Sequence, residues 1–283
     1  MDWITQAALG AALGELMMGK RLGNLALAWG ALFGILPDFL EILFSPVLDT
    51  AREISWHHAA GHCIPIIAAA CWGIPRLLEK LWKREKVSRR DATLFLLAVW
   101  SAHLALDAFT SDGVALLWPI LDNRVSFNFL NKVDFLFSAP LVVAVCWLAF
   151  LREQTPKKTR SKKPQPVPKR RKILRWGLGL AAGYAVISLA MKFTASAGFD
   201  ADLTRRGTRF TRRMEGPMPY NFLLWRSVVD KGDEMWVGYR MVFESHSTPV
   251  RWTIYPKGIA SLDAVKTARE VKTLTSVCGG WWL

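Results

Sequence analysis

Apolar stretches alternate with short polar loops over the first two thirds of the chain. Six of these stretches are typical of membrane-embedded helices: residues 4–18, 22–37, 62–78, 93–107, 133–151 and 173–195. A helix needs about 20 apolar residues to cross a bilayer. Only the last two stretches approach this length, so the pattern predicts that the first four are short, tilted or re-entrant. A bundle only partly sunk in the bilayer is the alternative.

The pattern changes after residue 195 to one typical of a small soluble domain. Residues 222–229 and 235–243 are strand-like runs on either side of the turn sequence Asp230-Lys231-Gly232-Asp233. Residues 251–255 predict a third strand. Residues 261–274 predict a helix with Ser261 as its N-cap. The C-terminal region is therefore predicted to be a small α+β domain.

The predicted fold class is mainly α, a polytopic membrane helix bundle with a small C-terminal α+β domain. Residues 1–151 form the membrane-embedded helical domain, 152–172 a basic linker, 173–195 a transmembrane helix and 196–283 the α+β domain. The linker is a Pro/Lys/Arg tract without apolar periodicity. The final residues, Gly279 to Leu283, are not typical of the end of a finished domain, which leaves a truncated chain open.

The net charge of +14 could indicate binding to nucleic acid or to anionic lipid. The basic residues lie mainly in loops 19–24, 79–92 and 152–172, which alternate along the chain and therefore share one side of a membrane. Basic loops face the cytoplasm, so the opposite loops and the C-terminal domain are predicted to face outward. Without an Arg-rich stripe and interleaved aromatic residues, we expect membrane lipid as a partner and no nucleic acid.

Four of the five histidines fall in two short patches, and both patches could bind a metal ion. His103 and Asp107 are four residues apart and can point from one helix face to one ion. His58 and His62 have the same spacing, whereas His57 could join His62 only if a turn lies between them. In the predicted topology these residues fall on one membrane face together with Asp2 and Asp38.

Imidazole and carboxylate groups are ligands of zinc, manganese and iron. Because a charge inside a membrane is costly, Asp107 should have a partner. The structural alternatives are a hydrogen-bonded core histidine, Asp38 as a helix end, and Asp107 paired with His103 without metal. Glu15 lies thirteen residues beyond Asp2, roughly 20 Å along a helix, and is not expected to join the cluster.

Over about residues 1–150 the chain resembles the LexA-regulated, inner-membrane metal-dependent hydrolases, the YdjM-like family. The resemblance rests on Met1-Asp2-Trp3-Ile4-Thr5-Gln6 with Gly14-Glu15, Leu36-Pro37-Asp38, the His57–His62 patch, the run from Ser101 through His103 and Asp107 to Gly113, Trp118-Pro119 and Asp134. Pro219-Tyr220-Asn221 and Leu224-Trp225-Arg226 are similar to a feature of longer members.

The resemblance implies a site and an activity. The family pattern His-Arg-Gly-x-Thr-His places its histidines on His57 and His62, with His58 in the Arg position; Leu40 stands where a second Asp is usual. The implied ligands are His57, His62, His103, Asp107 and Asp38, with Asp38 either a ligand or a general base. Thr110 and Asp112 are predicted to support the ligands, since ligating histidines need an acceptor for the other ring nitrogen. Further candidates are His58, Asp2, Glu15 and Asp134.

The implied function is metal-dependent hydrolysis in the bacterial inner (plasma) membrane by a multi-pass protein. The metal would be divalent, with zinc first and manganese or iron as alternatives. The family itself resembles, distantly, the zinc-dependent phospholipase C and P1-nuclease fold, and this likeness suggests phosphoester or lipid-like substrates. The expected substrate is a small molecule or a lipid. The alternatives are a non-catalytic membrane scaffold and an ion-binding or transport protein.

Overall fold

The computed structural model describes residues 1–44, 46, 48–121, 123–151, 169–257, 265 and 267–278. Its helices are α1 (Trp3–Leu22), α2 (Asn24–Phe44), α3 (Thr50–Trp56), α4 (Ile64–Leu81), α5 (Arg89–Phe109), α6 (Phe135–Phe150), α7 (Lys169–Arg205) and α8 (Arg269–Val277). Its strands are β1 (Arg212–Met218), β2 (Asn221–Asp230), β3 (Glu234–Met241) and β4 (Arg251–Pro256). The predicted fold class, a mainly helical membrane protein with a small C-terminal α+β part, is confirmed.

The chain divides into two units. The first contains residues 1–40, 64–106 and 135–184, and the second contains residues 41–63, 107–134 and 185–283. Helices α2, α5 and α7 each contribute residues to both units.

In the first unit, α1 and α2 pack with their backbones almost in contact. A Cβ atom on Gly10 would overlap the carbonyl oxygen of Gly30, and a Cβ atom on Gly34 would press on the carbonyl oxygen of Gln6. Small residues spaced four apart permit this approach between helices in a membrane. The sequence therefore brings the backbone of α2 close to α1 along the segment that precedes Asp38.

An aromatic cluster fills the interior of the first unit. The rings of Trp29 and Phe33 stack at 5.7 Å between centroids, and Trp82 meets the edge of Trp29 at 5.5 Å. Phe95, which is fully buried, meets Phe33 at 5.9 Å. This cluster joins α2 to α5 and thereby fixes the faces that these helices present near their ends.

Helix α2 continues through Pro37, although the sequence predicted its end there. Proline lacks the N–H that would bond to the carbonyl of Phe33 four residues earlier. The indole Nε1–H of Trp100 on α5 donates to that carbonyl instead, at 2.9 Å. Because the freed acceptor has a new donor, the helix runs on to Phe44 and carries Asp38 within it.

Within the described part of the chain, three helices are long and apolar enough to cross a membrane: Asn24–Leu43, Arg89–Phe109 and Lys169–Arg205. Helix α6 is apolar but has 16 residues. The second and fourth stretches are thus longer than predicted, because α2 passes Pro37 and α5 begins at Arg89. The fifth stretch is shorter than the predicted 133–151.

Helix α7 continues to Arg205, ten residues beyond the predicted end at 195. Its last turns pack against the antiparallel sheet, whose strand order is β1-β2-β3-β4. Phe199 lies 5.9 Å from the ring of Trp252, whose Nε1–H donates to Asp202 at 2.8 Å. The absence of a side chain on Gly198 leaves room for the buried guanidinium of Arg240. Contacts with the sheet therefore account for the helical extension.

The predicted strands correspond to β2, β3 and β4, and the structure adds β1 before them. The predicted N-cap Ser261, the terminal run from Gly279 and most of the predicted linker (152–168) lie outside the described residues. Residues 169–172 of that linker are the first turn of α7.

Candidate metal centre

His103 on α5 is oriented by the backbone of α2. Its Nδ1 lies 2.7 Å from the carbonyl oxygen of Gly34, so Nδ1–H is the donor and Nε2 points away from this carbonyl. Nε2 lies 3.7 Å from Oδ1 of Asp38. The imidazole is buried. The side chain is therefore held with its Nε2 toward a carboxylate.

His62, in the turn before α4, has an equivalent arrangement with different partners. Its Nδ1 lies 2.9 Å from Oε1 of Glu41, and its Nε2 lies 3.4 Å from Oδ2 of Asp107. The Glu41 carboxylate accepts the Nδ1–H, and Nε2 faces Asp107. A carboxylate on the outer nitrogen of a histidine is the usual support of a metal-binding imidazole.

Asp38, His62, His103 and Asp107 form one group. Each offers a donor atom, and these atoms all lie within 4.8 Å of one another. All four residues are buried; Asp38 is the most accessible at 8%, and the others are at 0–1%. Ligands around a single zinc ion at about 2.0–2.2 Å are separated by roughly 3–4 Å, so the four atoms lie near the spacing of metal ligands. The group could hold a metal ion.

The two remaining histidines of the patch differ in environment. His58 is buried, with its Nδ1 3.8 Å from Oδ2 of Asp107 and its ring stacked on His62 at 5.1 Å. Burial lowers the pKa of His58 to about 4 against the opposing effect of Asp107, so its imidazole is neutral at pH 7. The side chain of His57 is 57% exposed and lies 3.5 Å from Glu41. The structure therefore places His58 next to the group and His57 outside it.

The backbone at His58 explains this register. Its φ of +52° lies in the left-handed region, which non-glycine residues adopt only where the surroundings hold them. Its N–H donates to Oε2 of Glu41 at 3.1 Å, and its carbonyl accepts from Ala115 at 3.1 Å. The turn thus lies at His58 and directs the His57 side chain toward solvent. Neither helix spacing nor the family pattern alone gives the position of this turn.

The other candidates have structural partners. Asp2 caps α1 by accepting from the N–H and hydroxyl of Thr5 at 2.9 and 2.6 Å. Glu15 forms a two-pronged ion pair with Arg170, both bonds at 2.9 Å. Thr110 donates its hydroxyl to the carbonyl of Asp107 at 2.9 Å. The hydroxyl therefore supports the end of α5 and does not contact the Asp107 carboxylate through this bond.

Asp112 pairs with Lys132 at 2.7 Å. Burial raises the pKa of Asp112, but the ion pair outweighs that effect, so the pKa lies below its ordinary value. Asp134 is 8% exposed and lies just before α6. In the part of the chain that the structure describes, neither Asp112 nor Asp134 contributes an atom to the metal group.

Glu41 is the residue of the site that the sequence did not indicate. It lies three residues after Asp38, so both carboxylates fall on one face of α2. That signal was available only if the helix continued past Pro37. Because the second apolar stretch is predicted to end at residue 37, the sequence pattern places Glu41 in the loop that follows.

The chemistry of this donor set fits a divalent metal. Two imidazoles present their Nε2 atoms, and two carboxylates would balance a charge of two. Two buried carboxylates side by side repel each other unless a proton or cation lies between them. The arrangement therefore has the composition, burial and orientation of a metal site.

Comparison with known families places residues 1–195 in a single match, to the family described as YdjM inner membrane protein. No curated protein and no solved structure matches the chain. The match extends beyond the region of about 150 residues on which the sequence motifs rest, and it includes α1 to α6, most of α7 and all four residues of the metal group. The chain belongs to the YdjM inner membrane protein family.

Proposed function

We propose that the protein is a membrane-bound, metal-dependent hydrolase whose metal lies among Asp38, His62, His103 and Asp107. The observation that carries this proposal is the orientation of the two histidines. Each has its Nδ1–H held by an acceptor, Gly34 in one case and Glu41 in the other, so that each presents Nε2 to a carboxylate. A purely structural hydrogen bond would not require both histidines to have Nδ1 bonded to an acceptor and Nε2 facing a carboxylate.

The roles follow from burial and position. His62, His103 and Asp107 are the most buried and would hold the ion. Asp38 would be either a fourth ligand or the general base that accepts a proton from water, since it is the most accessible of the four. A bound divalent metal lowers the pKa of its water toward 7 and polarises the scissile group. Zinc suits this mixed set best, and manganese or iron are the alternatives.

For the substrate we propose a phosphoester or lipid-like molecule, on the strength of the family resemblance and the membrane location. Membrane lipid would be the molecule's surroundings, and nucleic acid is not expected as a partner. The neutral imidazole of His58 beside Asp107 could accept a hydrogen bond from a bound substrate or from water.

The function is tested by metal analysis of the protein purified without added metal, followed by hydrolysis of bis(p-nitrophenyl) phosphate and of a phospholipid. We expect about one divalent ion per chain and turnover that stops with a chelator and returns with zinc or manganese. His57→Ala is the matched control, since it removes an imidazole outside the group. A metal-free protein that is equally stable with and without added metal would contradict the proposal.

The second candidate is an ion-binding protein without catalysis. It is favoured by the fact that all four donors come from the protein, because catalytic zinc sites commonly keep one position open. The same experiment separates the two functions. Metal at full occupancy with no turnover of any phosphoester or lipid tested would favour the ion-binding function.

For the membrane topology we propose that the basic ends of the helices face the cytoplasm. Lys20 and Arg21 end α1, and α5 begins at Arg89, whereas Asp107 lies at the other end of α5. The positive-inside rule then puts the metal group and the C-terminal domain on the outer side.

Single cysteines at Lys83 and Tyr220, both exposed, test this topology in a chain whose Cys146 and Cys278 are replaced by serine. A membrane-impermeant maleimide should label position 220 on intact cells and position 83 only after lysis. Labelling of position 83, or of any position in 152–168, from outside would overturn it.

A further inference from the structure

A groove runs along the first unit between α6 and the beginning of α7. Its volume is about 450 Å³, and apolar side chains form nearly all of its surface. On α6 it is lined at positions 140, 143, 144 and 147, and on α7 at 169, 172, 173, 176, 177 and 180. Both sets follow the i, i+3, i+4, i+7 spacing of a single helix face. The groove is thus a continuous trough between two facing helices.

The floor of the groove is formed where the helices touch. A Cβ atom on Gly177 would overlap the side chain of Ala144, so the two helices approach at this point through their smallest residues. Trp147 on α6 and Trp176 on α7 line the groove, and their side chains are 58% and 63% exposed. In a membrane protein, exposed tryptophans of this kind lie near the headgroup level.

One end of the groove is basic. Lys169 and Lys172 line it and are exposed, and neither forms an ion pair with another of the described residues. Arg170 between them points elsewhere, since its guanidinium is taken up by Glu15 and by the carbonyls of Leu148 and Leu151. Two ammonium groups therefore lie at the mouth of an apolar trough without an ionic partner among the residues that the structure describes.

We propose that this groove is a binding site for an anionic phospholipid. An acyl chain lies along the trough over Ala144 and Gly177, and the phosphate group contacts Lys169 and Lys172. Two features favour this occupant: the nearly continuous apolar lining of the groove, and the two exposed lysines at one of its ends. Basic pockets between membrane helices bind anionic headgroups in this way.

The inference is independent of the metal group. All lining residues belong to α6 and α7, and none of them is in or next to the set Asp38, His62, His103 and Asp107. In the proposed topology the site lies in the cytoplasmic leaflet, whose anionic lipids would increase its occupancy.

The test is native mass spectrometry of the full chain, released from nanodiscs containing phosphatidylglycerol and phosphatidylcholine in equal amounts. The protein should retain phosphatidylglycerol in preference to phosphatidylcholine. The double variant Lys169→Gln/Lys172→Gln should lose this preference. We expect its retention of phosphatidylglycerol to be roughly 10- to 30-fold weaker, because the attraction of each of the two ammonium groups to the phosphate is lost. Val143→Trp, which fills the trough and leaves the lysines unchanged, should reduce retention of phosphatidylglycerol as well.

The matched control is Lys80→Gln/Lys83→Gln, which removes the same charge from exposed positions at the end of α4. It should retain phosphatidylglycerol as the parent chain does. Photo-crosslinking with a diazirine-bearing acyl chain should label peptides that contain residues 140–147 and 173–180. Equal retention by the 169/172 variant, an equal loss in the control, or crosslinks elsewhere only would each overturn the proposal. Melting temperatures that match the parent chain would show that the variants are folded.

Discussion

Oε1 of Glu41 accepts the Nδ1–H of His62 at 2.9 Å, while the other oxygen of the same carboxylate accepts the backbone N–H of His58 at 3.1 Å. One carboxylate on α2 thus orients an imidazole and also holds the strained turn that carries it. Supports of this kind commonly contribute 10–100-fold to metal affinity.

We therefore expect Glu41→Gln to weaken metal binding by about 10-fold or more. The amide keeps the size of the side chain but lacks the negative charge that would strengthen the His62 imidazole as a metal ligand. The dissociation constant is measured by competition with a chromogenic chelator. Glu53→Gln, at an exposed position on α3, is the control. Equal affinities for Glu41→Gln and the parent chain would show that Glu41 supports only the turn.

Asp107→Asn should abolish metal binding and any hydrolysis while the protein stays folded. Asparagine preserves the shape but removes a negative charge that would balance the ion, and a buried neutral amide costs less than an unpaired carboxylate. Metal content, turnover and melting temperature are measured together, with Asp233→Asn in the exposed β2–β3 turn as the control. Full occupancy and unchanged turnover would remove Asp107 from the site.

His57→Asn and His58→Asn test the register of the histidine patch. Asparagine tolerates the left-handed backbone at position 58, so the pair compares side chains without adding strain. We expect a loss of metal affinity in His58→Asn, because His58 packs on His62 and lies 3.8 Å from Asp107. His57→Asn should match the parent chain. The reverse result would favour the register of the family pattern.

The C-terminal domain should lose stability as the pH falls from about 4 to 2. Burial opposes ionisation of Asp230, but hydrogen bonds from Lys257, Gly232 and Arg212 outweigh it and lower the pKa to about 2 from 3.8. A lowered pKa stabilises the folded state above the unfolded-state value, and this contribution is lost as the group is protonated.

The contribution of Asp230 is roughly 1–2 kcal/mol, allowing for solvent screening. Melting curves of the parent chain and of Asp230→Asn are compared at pH 6 and pH 3. The variant should melt lower at pH 6 and approach the parent at pH 3. A difference that does not change with pH would assign the effect to packing.

Part of the site could be predicted from spacing alone. The four-residue interval between His103 and Asp107 places both on one helical face whatever the tertiary structure. The apolar runs likewise indicate the helices, since hydrophobic periodicity depends on local sequence. Residues 222–229 predict β2 because they are rich in β-branched and aromatic side chains.

The rest depends on contacts that no local pattern records. Glu41 joins the site only because Trp100 satisfies the carbonyl freed by Pro37, so that α2 does not end there. The turn at His58 depends on an acceptor 17 residues away, the carboxylate of Glu41, and on a donor 57 residues away, the N–H of Ala115. Strand β1 contains Gly216 and Pro217, both unusual in strands, and is held by its pairing with β2.

The carbonyl of Gly34 has a further consequence. It fixes the His103 ring on one side, while the missing side chain of Gly34 admits the α1 backbone on the other. In the proposed metal complex, coordination and helix packing would share one peptide group, and thermodynamic linkage would make their effects reciprocal. An ion that immobilised His103 would also protect the amides of α1 and α2 from exchange with solvent, and loosening of those helices would weaken the binding of the ion.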